Sequence, residues 1–118
     1  MYRTILKSKI QKAIVTQTNL EYSGSITVDS EILNAADIVA NERVQVVNLN
    51  NGSRIETYVV AGKKDSGIIG MNGGAARHAV TGDRLFIMSY VLMETKDVLT
   101  YKPRIIILGD KNKVIDKK

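Results

Sequence analysis

The stretch Arg43-Val44-Gln45-Val46-Val47-Asn48-Leu49-Asn50-Asn51-Gly52-Ser53-Arg54-Ile55-Glu56-Thr57-Tyr58-Val59-Val60 carries the clearest architectural signal in the chain. Asn-Gly favours the positive backbone angles that tight turns need, and here Asn50-Asn51-Gly52 is flanked by β-branched residues on both sides. Residues 43–60 therefore read as a β-hairpin. Within its second arm Arg54, Glu56 and Tyr58 alternate, so they should project to one face. In the plainer reading that face is simply solvated. In the functional one, Arg54 is a planar fork for a carboxylate and Tyr58 a proton donor.

Working outward from the hairpin, short extended segments recur between turn signals. Ile10 to Gln17, with Ile5 and Leu6 before it, reads as a strand, and Asn19 begins a turn. Ser25 to Val28 is a short strand. Asp29 or Ser30 can cap a helix over roughly 30–38 that places Ile32, Leu33 and Ala36 on one face. Beyond the hairpin, 61–67 is a polar loop and Ile68 to Met71 a short buried strand. Asn72-Gly73-Gly74 breaks that strand, and Ala75 to Ala79 forms one helical turn. Arg84 to Met93 is the most apolar strand, and Arg104 to Leu108 follows Pro103. Many short strands with one or two short helices predict a mainly β chain folded as a small closed barrel.

Composition narrows the function classes. The 118 residues fit one domain with a core of its own. No cysteine is present, which excludes a thiol nucleophile and Cys-ligated zinc, and His78 is the only histidine. A Ser-His-Asp triad would have to pass through His78, which has no evident partner nearby in sequence and reads as surface or core. The net charge of +5 is concentrated at the ends: residues 1–12 carry four basic groups and no acid, while 13–109 hold nine basic against ten acidic. Residues 110–118 read as a solvated, flexible tail. Lys7 and Lys9, two apart, should share a strand face suited to a small anion. No stretch has signal-peptide or membrane-spanning length, so a soluble cytoplasmic protein is expected. The basic ends also support another reading, a non-catalytic barrel that binds nucleic acid or a protein partner. The low aromatic content, 5%, and the near-neutral middle weigh against a base-stacking surface.

Two further stretches carry chemistry. Glu21-Tyr22-Ser23-Gly24-Ser25-Ile26 reads first as a turn before a strand. Glycine at 24 tolerates strained backbone and lets a nucleophile approach its carbonyl, and the Ser25 hydroxyl is the nearest candidate. Asn72-Gly73-Gly74-Ala75-Ala76 is a tight turn in the plainer reading. Its small residues would also leave backbone N–H groups free for an anion, although the spacing is not that of a dinucleotide or Walker loop.

Taken together, Arg3-Thr4 with Lys9, Tyr22, Gly24-Ser25, Ala35-Ala36, Asn51-Gly52, Arg54 to Tyr58 and Asn72-Gly73 resemble the pyruvoyl-dependent aspartate 1-decarboxylases over about the first 90 residues. The resemblance implies a double-psi β-barrel, a homotetramer with active sites between subunits, and a proenzyme that cuts itself between Gly24 and Ser25. The Ser25 hydroxyl attacks the Gly24 carbonyl, and the resulting ester eliminates to dehydroalanine, which hydrolyses to a pyruvoyl group. Residues 1–24 become the β-chain and 25–118 the α-chain. No metal and no pyridoxal phosphate are implied. The pyruvoyl keto group forms a Schiff base with L-aspartate, carbon dioxide leaves, and β-alanine is released for pantothenate and coenzyme A synthesis.

By the same resemblance Lys9 and Arg54 face the substrate, Tyr58 donates a proton, and Thr57 polarises the Gly24 carbonyl during cleavage and faces the substrate. Asn72, Gly73, Gly74 and Ala75 line the substrate pocket, and Tyr22 is a pocket tyrosine. Gln11 stands where many members have histidine and Val47 where some have tryptophan. Some members need an accessory protein to mature. Strict alternation puts Thr57 and Tyr58 on opposite faces, so a shared pocket requires a strand end, a bulge or a neighbouring subunit.

Overall fold

The hairpin forms as the turn chemistry predicts. In the computed structural model, which describes residues 1–118, β4 (Arg43–Asn48) and β5 (Arg54–Gly62) pair antiparallel, with Arg43 opposite Tyr58 and Val47 opposite Arg54. Gly52 takes the left-handed conformation at φ +77°. The Asn48 and Asn51 side chains accept from the N–H groups of Asn50 and Ser53, closing the turn with local bonds.

Seven more strands extend this pair. They are β1 (Tyr2–Ile14), β2 (Gln17–Asn19), β3 (Ser25–Asp29), β6 (Ile69–Asn72), β7 (Arg84–Glu94), β8 (Arg104–Leu108) and β9 (Val114–Lys117). Helix α1 spans Ser30–Ala36, a 3-10 turn spans Gly73–His78, and α2 spans Thr95–Val98. The strand order is β2-β6-β3-β5-β4-β7-β1-β8-β9. β1 and β2 are separated only by Val15 and Thr16, yet they occupy distant positions in that order, so the sheet must curl round to meet itself. Val15 N–H donates to Asp83 O at 2.9 Å and Thr16 N–H to Ile69 O at 2.8 Å across the seam. The fold is therefore a small β-barrel, as the strand spacing predicts. Its mixed pairing, parallel for β1–β8, β2–β6 and β3–β5 and otherwise antiparallel, is compatible with the double-psi form.

The interior is filled by alternate residues of the strands, among them Ile10, Ile26, Val28, Val46, Val59, Ile69, Leu85, Ile87 and Ile106, each at most 2% exposed. Asp29 caps α1 by accepting from Glu31 N–H. The same carboxylate takes the N–H groups of Asp65 and Gly67, tying the 63–67 loop to the helix start. The helix ends two residues short of its expected limit because Asp37 turns left-handed, at φ 58°.

Two expectations change. Residues 110–118 are not a free tail: a 3-10 turn at Asp110–Asn112 leads into β9, which pairs with β8. Asn112 is buried, exchanging hydrogen bonds with both backbone groups of Ile14 and donating to Gly67 O. Lys7 and Lys9 do not alternate simply either. A β-bulge between Leu6 and Ser8 makes Lys7 the extra residue, and it turns to Glu42 at 2.8 Å.

Candidate active site

Ser25 is the first residue of β3, paired with Asn72 on β6, and its side chain is fully buried. Asn72, itself buried, donates from Nδ2 to Ser25 Oγ at 3.0 Å and to Thr27 Oγ1 at 2.9 Å. Ser25 Oγ in turn donates to the Ser23 carbonyl at 3.3 Å. The hydroxyl is thus fixed in orientation, with one lone pair taken by an amide and its proton directed back along the 22–24 loop.

Gly73 grips that loop. It sits at φ +59°, and a Cβ there would lie 2.6 Å from both Gly24 N and Tyr22 O. The position that requires glycine is therefore 73, not 24. A Cβ on Gly24 would meet nothing closer than Gly74 N at 4.0 Å, and Gly24 has no left-handed φ. The 3-10 turn begins at Gly73, one position after the Asn72 that holds the hydroxyl, so one short element orients both sides of the Gly24-Ser25 bond. Tyr22 is exposed beside it.

Gly24, Thr57, Gly74 and Ala75 line one open cavity of about 390 Å³, and His78 lines it too. His78, read as surface or core, thus lines the cavity that Gly24 lines. Its position comes from its backbone, whose carbonyl accepts from Asn48, Asn51 and Ser53. No local sequence signal points to this, because the anchors come from the β4–β5 turn. Asn48 Nδ2 also donates to Asp83 at 2.8 Å. That bond, with the Val80 N–H, holds the Asp83 carboxyl below its ordinary 3.8.

The remaining residues lie elsewhere in the chain. β5 keeps strict alternation: Ile55, Thr57 and Val59 turn inward, while Arg54, Glu56 and Tyr58 are exposed on the outer face. Tyr58 belongs to the serine's neighbourhood by another route. β3 and β5 run parallel with Ile26 opposite Val59, both in the core, so Ser25 and Tyr58, one position earlier, share the opposite face. Thr57 lines the cavity that Gly24 lines, whereas Tyr58 does not line it. Arg54 lies four residues back along β5, about 13 Å away at the usual strand rise, beyond the reach of one side chain to Ser25. Lys9 is farther across the sheet, on β1. Its Nζ stands 4.3 Å from the Phe86 ring centre. Arg54 Nη1 donates to Gln45 Oε1 at 2.9 Å, and Tyr90 donates to the same oxygen. One chain therefore assembles Gly24, Ser25, Thr57, Asn72, Gly73, Gly74 and Ala75, and leaves Lys9 and Arg54 on an outer face.

These features define a class: a small mixed-sheet β-barrel with a buried, hydrogen-bonded serine at the head of a strand and a glycine-led turn clasping the residues before it. No group of three or more His, Cys, Asp or Glu converges to hold a metal, and no helix is long and apolar enough to cross a membrane. The family model described as aspartate decarboxylase matches residues 1–115, and the chain belongs to that family. The match runs well past the first 90 residues that carry the resemblance. The aspartate 1-decarboxylase of Listeria monocytogenes is 51% identical over 114 residues, covering 97% of this chain and 90% of the relative. Those of Pelotomaculum thermopropionicum and Caldicellulosiruptor bescii are 50% and 51% identical, covering 98% of this chain and 88% and 90% of their own lengths. The reading as a non-catalytic barrel that binds nucleic acid or a protein partner is not favoured by these relatives.

Proposed function

We propose that the chain is a self-processing decarboxylase that converts L-aspartate to β-alanine and carbon dioxide and so supplies pantothenate synthesis. The family and the relatives' names support the reaction. The observation that carries the self-processing is the Ser25 hydroxyl, buried at the head of β3 in the grip of Asn72, with Gly73 packed against the 22–24 backbone.

In this reading the chain's own residues perform the cut. Asn72 and the Ser23 carbonyl fix the Ser25 hydroxyl, which attacks the neighbouring Gly24 carbonyl carbon as the C–N bond breaks, passing the acyl group from nitrogen to oxygen. Thr57, in the cavity beside Gly24, stabilises the charge developing on the carbonyl oxygen. Loss of the Ser25 α-proton and departure of the Gly24 carboxylate leave dehydroalanine, and water then gives a pyruvoyl group and ammonia. A polar cradle on β3 and β6 that already holds an oxygen at this position fits that group. Its keto group supplies an electron sink to an amine substrate. Tyr58, on the face that Ser25 occupies, donates a proton.

Lys9 and Arg54 bind the substrate's carboxylates. Since Arg54 lies about 13 Å along the strand from the Ser25 level, the pocket is completed by a second copy of the chain, in line with a homotetramer. Residues 1–24 remain bound after the cut because β1 is an interior strand, paired with both β7 and β8. The cytoplasm is the expected compartment.

Intact-mass measurement of purified protein, incubated alone and with a cell extract that can supply a maturation protein, tests the reading. Two fragments meeting at 24/25, the larger blocked by a pyruvoyl, are expected, together with aspartate-dependent release of carbon dioxide. Ser25→Ala should stay whole and inactive. A parent chain that remains uncut in both incubations would defeat the proposal.

A further inference from the structure

Lys7 and Lys9 stand two residues apart on one strand and meet opposite fates. Lys7 is neutralised by Glu42. Lys9 has no carboxylate within ion-pair distance, and its ammonium rests on the face of Phe86, 4.3 Å from the ring centre. A ring face attracts a cation through its quadrupole without cancelling the charge, so an ammonium held this way keeps its attraction for an anion. A carboxylate holder would compete with that anion. Arg54 is treated alike, its guanidinium held by the neutral amide of Gln45.

The ring also sets where the ammonium goes. Lys9 pairs across the ladder with Met88, whereas Phe86 pairs on its other side with Val47, and Val47 pairs with Arg54. By leaning over Phe86, the Lys9 side chain moves along β7 to the cross-strand row that ends in Arg54. Arg54 reaches back to Gln45 on the neighbouring row, so two cations without carboxylate partners share one outer face of β1, β7, β4 and β5, an arrangement suited to a substrate with two carboxylates.

We propose that Phe86 is a positioning residue that holds Lys9, charge intact, on the face it shares with Arg54 for recognition of a dicarboxylate. The proposal rests on the substrate-facing role of Lys9 in the function above and adds to it a residue that the family resemblance does not name. Phe86 acts through Lys9 and takes no part in cutting the chain.

The experiment uses fully processed enzyme and reads aspartate kinetics alongside binding of succinate, which has two carboxylates and no amine. Phe86→Leu keeps an apolar side chain and removes the ring. It should raise KM for aspartate and Kd for succinate about 3- to 10-fold with kcat within about twofold, as expected for an ammonium–ring contact of this kind. Phe86→Tyr should restore both constants. In a Lys9→Met background the ring's removal should cost nothing further, which separates holding Lys9 from merely packing the sheet. Unchanged KM and Kd in Phe86→Leu, or an equal loss with and without Lys9, overturns the proposal. A chain that releases no carbon dioxide yet binds succinate through Lys9 and Phe86 would count against the decarboxylase reading while upholding this one.

Discussion

The barrel end that carries Gly24 and Ser25 and the outer face of β5, β4, β7 and β1 are built on opposite plans. At the barrel end the polar side chains are buried and paired: Ser25 with Asn72 and Ser23, Asn72 with Thr27 as well, and the loop backbone against Gly73. On the outer face Arg54 and Tyr58 are exposed, and Lys9 and Arg54 have only neutral holders. The difference follows from the chemistry each region is assigned. Self-cleavage is intramolecular, so its parts must be complete within one chain and preorganised. Recognition of a free anion needs cations that remain uncompensated until the anion arrives, and under the proposed function a second copy brings them to Ser25.

The largest expected effect comes from breaking the barrel end alone. Gly73→Ala puts a methyl group 2.6 Å from the Gly24 nitrogen and the Tyr22 oxygen at a left-handed φ, a strain of about 1–3 kcal/mol before any clash is counted. The 22–24 loop must move away from Asn72. Processing should slow at least about 150-fold, the scale of the upper strain figure with the clash still to be added, read by the decay of the uncut mass with time, while far-ultraviolet circular dichroism stays that of a folded barrel. Processing at the parental rate would mean that the clasp on the loop is irrelevant to the cut.

The second effect belongs to the outer face. Arg54→Ala should process at the parental rate and then show KM for aspartate raised about 100-fold, the scale of one lost charge-assisted hydrogen-bonded contact. If the substitution also blocked the cut, the division of labour between the two regions would collapse, and Arg54 would have to be counted with the processing parts.

How far this division could be read beforehand depended on whether its causes were local. The hairpin was legible because Asn50-Asn51-Gly52 satisfies its own turn, and β8 was legible from Pro103 and a run of β-branched residues. The Lys7 bulge was not, since its cause is the pairing with β7 and the draw of Glu42, 35 residues away along the chain. β9 was hidden in a charged tail because its anchor, Asn112, bonds to Ile14, 98 positions away. In the candidate site, Gly24-Ser25 and Asn72-Gly73 could be picked out as glycine-marked turns, but residue types alone did not say which glycine was under constraint. The geometry transfers that role from Gly24 to Gly73. Thr57 and Tyr58 looked incompatible under alternation. β5 keeps that alternation, with Thr57 in the cavity that Gly24 lines and Tyr58 exposed on the other face.

The smallest effect separates the two regions by acid. Asp83 accepts from Asn48 and Val80, and Asn48 also holds the His78 carbonyl at the far end of the turn that begins with Gly73. Because these bonds hold the Asp83 carboxyl below its ordinary 3.8, the unfolded chain binds the proton more tightly than the folded one. The stabilisation is complete above that ordinary value and is lost as pH falls through the lower, folded one. Thermal unfolding of the uncut Ser25→Ala chain should therefore shift downward by a few degrees on acidification below about pH 4, relative to the same chain carrying Asp83→Asn. Hydrogen exchange should locate the loosening in residues 73–83 and spare the β4–β7 ladder behind Phe86. Equal loosening of both would mean that the barrel melts as one unit, and that the contrast between its end and its outer face is chemical and not mechanical.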